Sequence, residues 1–466
     1  MPEVIPFVLW SWVPITLVLF WKLAPARATA ISLVGGWLFL PTARFLDDVA
    51  GVEFPYWIMP ACLPSEYWTT KARVIGVALL LGVMAFDPKA WRRFRPSLFD
   101  LPMLGWCLVP LASGLANGVS PVEATANVAY QALAWGVPYL VGRLYFSDPA
   151  GMAILARVVV GGGLVYVPFC LVENVVGPAF YRGLYGFHPY QSDGASRYIG
   201  YRPIVFLEHG NQLGTWMASS ALVAAWLWRS GQLPSFWKMP GAFVVGLLAT
   251  VAVATQSAGA VVLLVAGLAM LGVVWRLDRR WPIVVALALP VAFVAARAAN
   301  LFDVKAIAMS TGLGRHLAEA STKLDRQSFG WRLQVEQRSV RVALRKPWLG
   351  WSRWDWWREA SRSERPWGLF SNVLGMYGVA GWLLLIAALF LPIAVFLGLG
   401  PPRFWTTPSR APGVAMAGLL ALNGLDAILN SNLILPVLAA AGGLIGLKFH
   451  AEAASAWIRR AQARLA

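Results

Sequence analysis

A chain of 466 residues with 58% hydrophobic and 13% charged residues, and a mean hydropathy of +0.60, is not a soluble globular protein. Apolar runs of about 20 residues, the length that crosses a bilayer as a helix, recur along it, and their Gly, Ala, Leu and Val content suits packed helices rather than barrel strands. The net charge of +17 would point to nucleic acid in a soluble protein, but much of it sits in short turns between apolar runs, where it sets orientation, so nucleic acid is excluded as a partner.

The fold class is therefore an all-α polytopic membrane protein. Predicted spans, in chain order, are 5–22, 29–46, 72–87, 99–117, 122–142, 152–176, 210–228, 240–256, 257–275, 281–299, 370–399, 411–430 and 432–448. The first has neither a basic leader nor a small-residue cleavage site and reads as a retained span. Twelve or thirteen transmembrane helices result, with a large external loop between the tenth and eleventh. The chain divides into N-terminal helices (1–176), central helices with an external Arg/His segment (177–300), the loop (301–369), and C-terminal helices with a cytoplasmic tail (370–466).

Basic residues fall in every second connection: Lys22/Arg27, Lys89/Arg92/Arg93/Arg95, Arg143, Arg229/Lys238, Arg276/Arg279/Arg280, Arg403/Arg410 and the tail from Lys448. The positive-inside rule makes these cytoplasmic, which leaves 47–71, 118–121, 177–209, a turn near Gln256, the loop 301–369 and a turn near Asn430 outside. The loop is cationic, with thirteen Lys/Arg against seven Asp/Glu between Leu301 and Trp367. Its tryptophans, Trp331 through Trp367, are too apolar for a solvated linker and predict folding against the membrane surface. Helical periodicity runs in part from Ala306 to Arg345, broken around Ser328–Gly330, and Pro347–Gly350 marks a turn.

Three constellations carry candidate chemistry. The first is Arg197, then Arg202-Pro203, then Glu208-His209-Gly-Asn211 where the chain re-enters the membrane. It sets a candidate base beside fixed cations, against the bland reading of interfacial anchors. The second is Arg332 with Glu336 one turn on, Arg338, and Pro347-x-x-Gly350. Arginine's planar fork suits phosphate oxygens, against the reading of a solvated helix with ion pairs, which fits most of the loop's basic residues. The third is Ser371-Asn372-x-Leu374 followed by Gly378-x-x-Gly381. Helix capping and close packing through small residues would explain it alone. Intramembrane Glu123, Glu173, Asn174, Gln256, Asn423, Asp426 and Asn430 line a cavity or bridge helices. Three separated cysteines and four scattered histidines suggest neither a disulfide framework nor a metal cluster, and no phosphate loop, dinucleotide fingerprint or Ser-His-Asp spacing is present.

In this order the three constellations resemble the O-antigen ligase and O-antigen polymerase superfamily of bacterial polysaccharide assembly. Arg202 with Asn211 is similar to the family's arginine segment entering a middle helix, Arg332 with Pro347 and Gly350 to its loop helix and turn, and Ser371-Asn372 with Gly378 and Gly381 to its His-Asn-x-x-Leu and Gly-x-x-Gly helix. The resemblance implies transfer of a glycan from an undecaprenyl pyrophosphate carrier to an acceptor sugar hydroxyl at the periplasmic face of the inner membrane, without metal or cofactor. It further implies pyrophosphate binding by Arg202 and Arg332, with Arg197 and Arg338 assisting, and charge stabilisation as the pyrophosphate leaves. Ser371 stands where the family has histidine, so the general base is expected at Glu208 or His209. This departure argues more against the lipopolysaccharide ligase branch than against a surface-polysaccharide or exopolysaccharide polymerase. A lipid-linked glycan flippase and a scaffold for polysaccharide-export proteins are the non-enzymatic alternatives. A flippase would show related halves and short loops, which this sequence lacks.

Overall fold

The computed structural model describes residues 4–42, 69–186, 196, 200–299, 328–359, 366–431 and 434–465, with side chains at all of these except 328–334 and 453–465. Among the described residues there are helices and no strands, and an isolated antiparallel bridge joins Ser196 to Tyr201. The helices are α1 (Val4–Lys22), α2 (Pro25–Phe39), α3 (Lys71–Phe86), α4 (Leu101–Ala116), α5 (Pro121–Gln131), α6 (Val137–Tyr145), α7 (Pro149–Val176) and α8 (Phe180–Tyr185). They continue as α9 (Gly210–Arg229), α10 (Gly241–Ala254), α11 (Ala258–Leu277), α12 (Trp281–Ala298), α13 (Ser328–Ala343), α14 (Leu369–Leu397), α15 (Ala411–Asp426) and α16 (Pro436–Leu465). Every one of the thirteen expected spans overlaps a helix, and among the described residues six helices are by themselves long and apolar enough to cross a bilayer. The protein is an all-α polytopic membrane protein.

Composition sorts the helices into centre and rim. α9 and α15 are buried on nearly all sides and rich in Gly and Ala, which lets neighbouring backbones approach closely where lipid offers no hydrophobic drive for association. Asn423 on α15 donates to Ser219 Oγ on α9 at 3.1 Å, so this intramembrane polar residue bridges helices. α11 and α12 at the rim turn Val262, Val265, Val284 and Leu289 outward, an apolar face suited to lipid. Glu123 neither bridges nor lines a cavity: it is exposed in the first turn of α5, where its N–H is capped by Ser120.

Two local features differ from unbroken spans. The fifth span is α5 and α6 joined by a π-helical turn, Ala132–Gly136, just before Pro138, whose ring removes a backbone donor and so disturbs the regular ladder. The eleventh span, α14, breaks at Gly378, which has φ 64° and ψ −164°. The expected interruption at Ser328–Gly330 coincides with the first turn of α13. Residues 300–327 before it, and Arg197, lie outside the described residues.

The connections sort into two ends, and the sorting agrees with the charge pattern. The turn after α4 meets the loop, since Lys346 Nζ donates to Asn117 Oδ1 at 2.6 Å and Asn117 Nδ2 to Gly350 O at 2.9 Å. The basic turns meet one another instead: Arg143 pairs with Asp100 at 2.9 Å and donates to Arg95 O, Lys448 lies over Phe99, and Arg403 N donates to Asp278 Oδ1.

Candidate functional site

The chain entering α9 is irregular backbone beside membrane helices, and such backbone needs protein partners for its polar groups. Glu173 on α7 supplies them: Oε2 accepts the Ile204 and Val205 N–H groups, each at 2.8 Å, and Oε1 the Phe180 N–H at 3.1 Å. These bonds hold Val205 at φ 58°, a left-handed conformation uncommon for a β-branched residue. Asn174 Nδ2 and Gln256 Nε2 both donate to Tyr201 O, at 2.8 and 3.2 Å. Glu173, Asn174 and Gln256 thus anchor this segment rather than line a cavity.

So anchored, the segment sets Arg202 and Asn211 together. The Arg202 guanidinium donates to Asn211 Oδ1, which also accepts from Ser257 Oγ at 3.3 Å. Arg202 is 3% exposed and lies across Gly210, where any Cβ would overlap its guanidinium. His209 caps α9, its Nδ1 accepting the Asn211 N–H at 2.9 Å. Glu208 pairs through Oε1 with Lys71 Nζ at 2.7 Å, and both side chains are buried. Lys71 opens α3, far away in sequence, and no local motif joins it to this group.

A second cluster forms where α13, α14 and the turn after α15 meet. Glu336 Oε1 accepts the Trp367 and Gly368 N–H groups at 2.8 and 2.6 Å, capping the N-terminus of α14 with a carboxylate, where the helix dipole favours negative charge. The Ser371 hydroxyl lies close enough to stabilise the ionised form, without a well-formed bond to Oε2. Burial pushes the Glu336 carboxyl above its ordinary range, while Ser371, the two N–H groups and the Arg297 guanidinium pull it back. Arg297, at the end of α12, is buried and donates to Gln337 Oε1 at 2.7 Å. Asn372 Nδ2 donates to Pro366 O, Gly368 O and Ser431 Oγ at 3.1, 2.9 and 3.2 Å, a role beyond simple capping.

The two clusters share the turn after α15. Asn211 Nδ2 donates to Asn430 Oδ1 at 3.3 Å, and Asn430 Nδ2 to Asp426 Oδ1 at 2.8 Å. On its other side the same turn receives the Leu369 N–H at Ala427 O, 2.9 Å, and Ser431 Oγ donates to Trp367 O at 2.8 Å. The structure therefore brings Arg202, His209 and Asn211 into one network with Ser371 and Asn372, and adds Glu336, Arg297, Asp426 and Asn430. Arg332 lies one turn before Glu336 on α13, and its side chain is outside the described residues. Arg338 sits on the exposed side of α13.

The Pro347–Gly350 turn explains the break in α14. Val379 N donates to Pro347 O at 2.7 Å, while Trp351 N and Ser352 N donate to Gly375 O and Met376 O at 2.9 and 2.8 Å. The loop thus takes up helix groups freed by the break. Gly350 at φ 67° and Gly378 at φ 64° both need the left-handed region and face backbone at a distance no side chain would allow. Gly378 is a hinge stapled to the loop, not the helix-packing surface its spacing to Gly381 suggested.

These features define a multi-pass helical membrane protein with a buried polar junction at one end. Residues 243–375 match the family model described as O-antigen ligase, and this match supports assigning the chain to the O-antigen ligase and polymerase family and, in general terms, to glycan transfer of the ligase or polymerase kind. The matched stretch runs from α10 to the residues just before the break in α14, so it includes Arg297, Glu336, Ser371 and Asn372. No curated protein matches this sequence.

Proposed function

We propose that this protein is a glycosyltransferase that moves a glycan from an undecaprenyl pyrophosphate carrier to an acceptor sugar hydroxyl, acting as a polymerase of a surface polysaccharide or exopolysaccharide. The end bearing the junction faces the periplasm, where such donors are available, and the basic end faces the cytoplasm. The observation that carries this reading is the network joining Arg202 and Asn211 to Asn372 through Asn430 and Ser431, with Ser371 beside Glu336 at the same helix end. Three separate stretches of sequence converge there at one end of the bundle.

Arg202 is prepared for an anion because its guanidinium is held by Asn211 in a dehydrated setting, where charge stabilisation is stronger than in water. With Arg332 it holds the pyrophosphate and stabilises the charge that develops as the sugar–phosphate bond breaks. The chemistry assigns no step to a metal or cofactor.

Reconstitution in liposomes with lipid-linked oligosaccharide repeat units tests the reading. Wild type should build a ladder of products, and Arg332→Ala or Arg202→Lys should lower its rate about a hundredfold, the usual loss when one charge-stabilising donor is removed. A single unit transferred to a separate acceptor would make the protein a ligase. Full output from both variants would overturn the assignment of these arginines.

A further inference from the structure

The junction and its anchor contain four described carboxylates and a histidine, and their surroundings separate them; Glu173 is taken up by three backbone N–H groups. Glu208 Oε1 is paired with Lys71 Nζ at 2.7 Å, and Asp426 accepts from Asn430 at 2.8 Å. The His209 Nδ1 lone pair is engaged by the Asn211 N–H at 2.9 Å. Glu208 and Glu336 each have a buried Oε2 with no formed hydrogen bond, but Glu208 carries the lysine on its other oxygen, whereas Glu336 Oε1 is fixed by two backbone N–H groups and the Ser371 hydroxyl lies beside its carboxylate. An unengaged carboxylate oxygen beside a hydroxyl, in a dry setting, is the arrangement of a proton acceptor and its relay.

We propose that Glu336 takes the proton released by the acceptor sugar, with the Ser371 hydroxyl as the relay between them. This rests on the transferase reading above. As the acceptor oxygen bonds to the anomeric carbon, the bond from that carbon to the pyrophosphate oxygen breaks and its electron pair leaves with the pyrophosphate. The acceptor proton passes to Ser371 Oγ, and the Ser371 proton passes to Glu336 Oε2. Serine itself ends unchanged, Glu336 ends protonated, and it returns its proton to solvent before the next transfer.

Neighbouring charges suit this role. α12 brings Arg297, which favours the ionised carboxylate, and the first turns of α14 carry no charge. The short helix Trp356–Glu359 brings Arg358 and Glu359, which pair with Asp355 and Arg353 instead. On α13 itself Arg338 and Arg341 are exposed, and the end of α15 carries Asp426, already bonded to Asn430. Burial keeps the Glu336 carboxyl above its ordinary range, nearer the working pH, where a base is most effective.

The test uses the full-length protein in liposomes, with Glu336→Gln, Ser371→Ala and Ser371→Thr. Glutamine keeps an oxygen for the Trp367 and Gly368 N–H groups, so it removes the base while retaining the cap. Glu336→Gln and Ser371→Ala should each lower kcat about a hundredfold or more with little change in KM, and Ser371→Thr should restore most of the rate. Wild-type kcat should fall on acidification along a limb displaced upward from the ordinary carboxylate range. Infrared titration of the carboxyl band absent from Glu336→Gln gives a second readout that needs no turnover. Ser371→Ala should move that titration further up, because the hydroxyl stabilises the ionised form. Folded Ser371→Ala with wild-type kcat, or with an unmoved titration, would overturn the relay. An inactive wild type whose titration still responds to Ser371→Ala would instead overturn the transferase reading and keep the pairing.

Discussion

At the scale of residues, the junction depends on buried polar groups whose partners come from distant parts of the chain. Lys71 and Glu208 are both buried, so removing one leaves the other as an uncompensated charge, a loss of about 3–5 kcal/mol where it has been measured in proteins. Lys71→Met should therefore lower the thermal unfolding temperature in detergent markedly. The double variant Lys71→Met/Glu208→Gln should recover part of that loss, and equal unfolding temperatures for single and double variants would show that the pair is not coupled. Residue types at the site were largely legible in the sequence: Arg202, Asn211, Ser371 and Asn372 stood out by composition and order. Lys71 was not, because nothing local marks a lysine opening an apolar helix as the partner of a glutamate beyond several other helices. From the sequence Glu336 shares a helix face with Arg332 and has no role of its own. The corrective signal was present, since Ser339, Val340 and Ala343 follow it at helical spacing and share its buried stripe.

At the scale of elements, the loop and α14 form one unit. The bonds from Pro347–Ser352 into Gly375–Ala380 require the left-handed backbone at Gly350 and Gly378. Gly378→Ala should destabilise by about 1–3 kcal/mol or more, from backbone strain and overlap with the Trp348 carbonyl, and should make the Trp-rich segment more sensitive to limited proteolysis. Unchanged proteolysis would mean that the staple does not hold the loop. Each of the thirteen expected spans overlaps a helix, yet the sequence pattern passed over the break, because the residues of α14 next to Gly378 are apolar and carry no polar interruption. Partners for a broken helix come from a loop outside the window that any periodicity argument samples. The tryptophans expected to fold against the membrane surface divide instead: Trp356 and Trp357 are buried within the protein, and Trp348 is exposed.

At the scale of the whole molecule, the two sets of turns separate by contact as they do by charge. With Cys62→Ser removing the cysteine outside the apolar segments, a membrane-impermeant thiol reagent added to whole cells should label Ser120→Cys and leave Arg279→Cys untouched until the cells are permeabilised. The reverse pattern would invert the proposed orientation. Alternating basic connections made this partition readable from sequence, whereas the meeting of the two clusters was not, since no pairwise spacing links Asn211 to Asn430. That joining turn also has a consequence for how the protein is made. Residues 426–431 emerge from the ribosome after nearly every other part of the junction has been inserted. A nascent chain halted before Asp426 therefore carries both halves of the junction with nothing to connect them, and the site is completed only once that turn has been made.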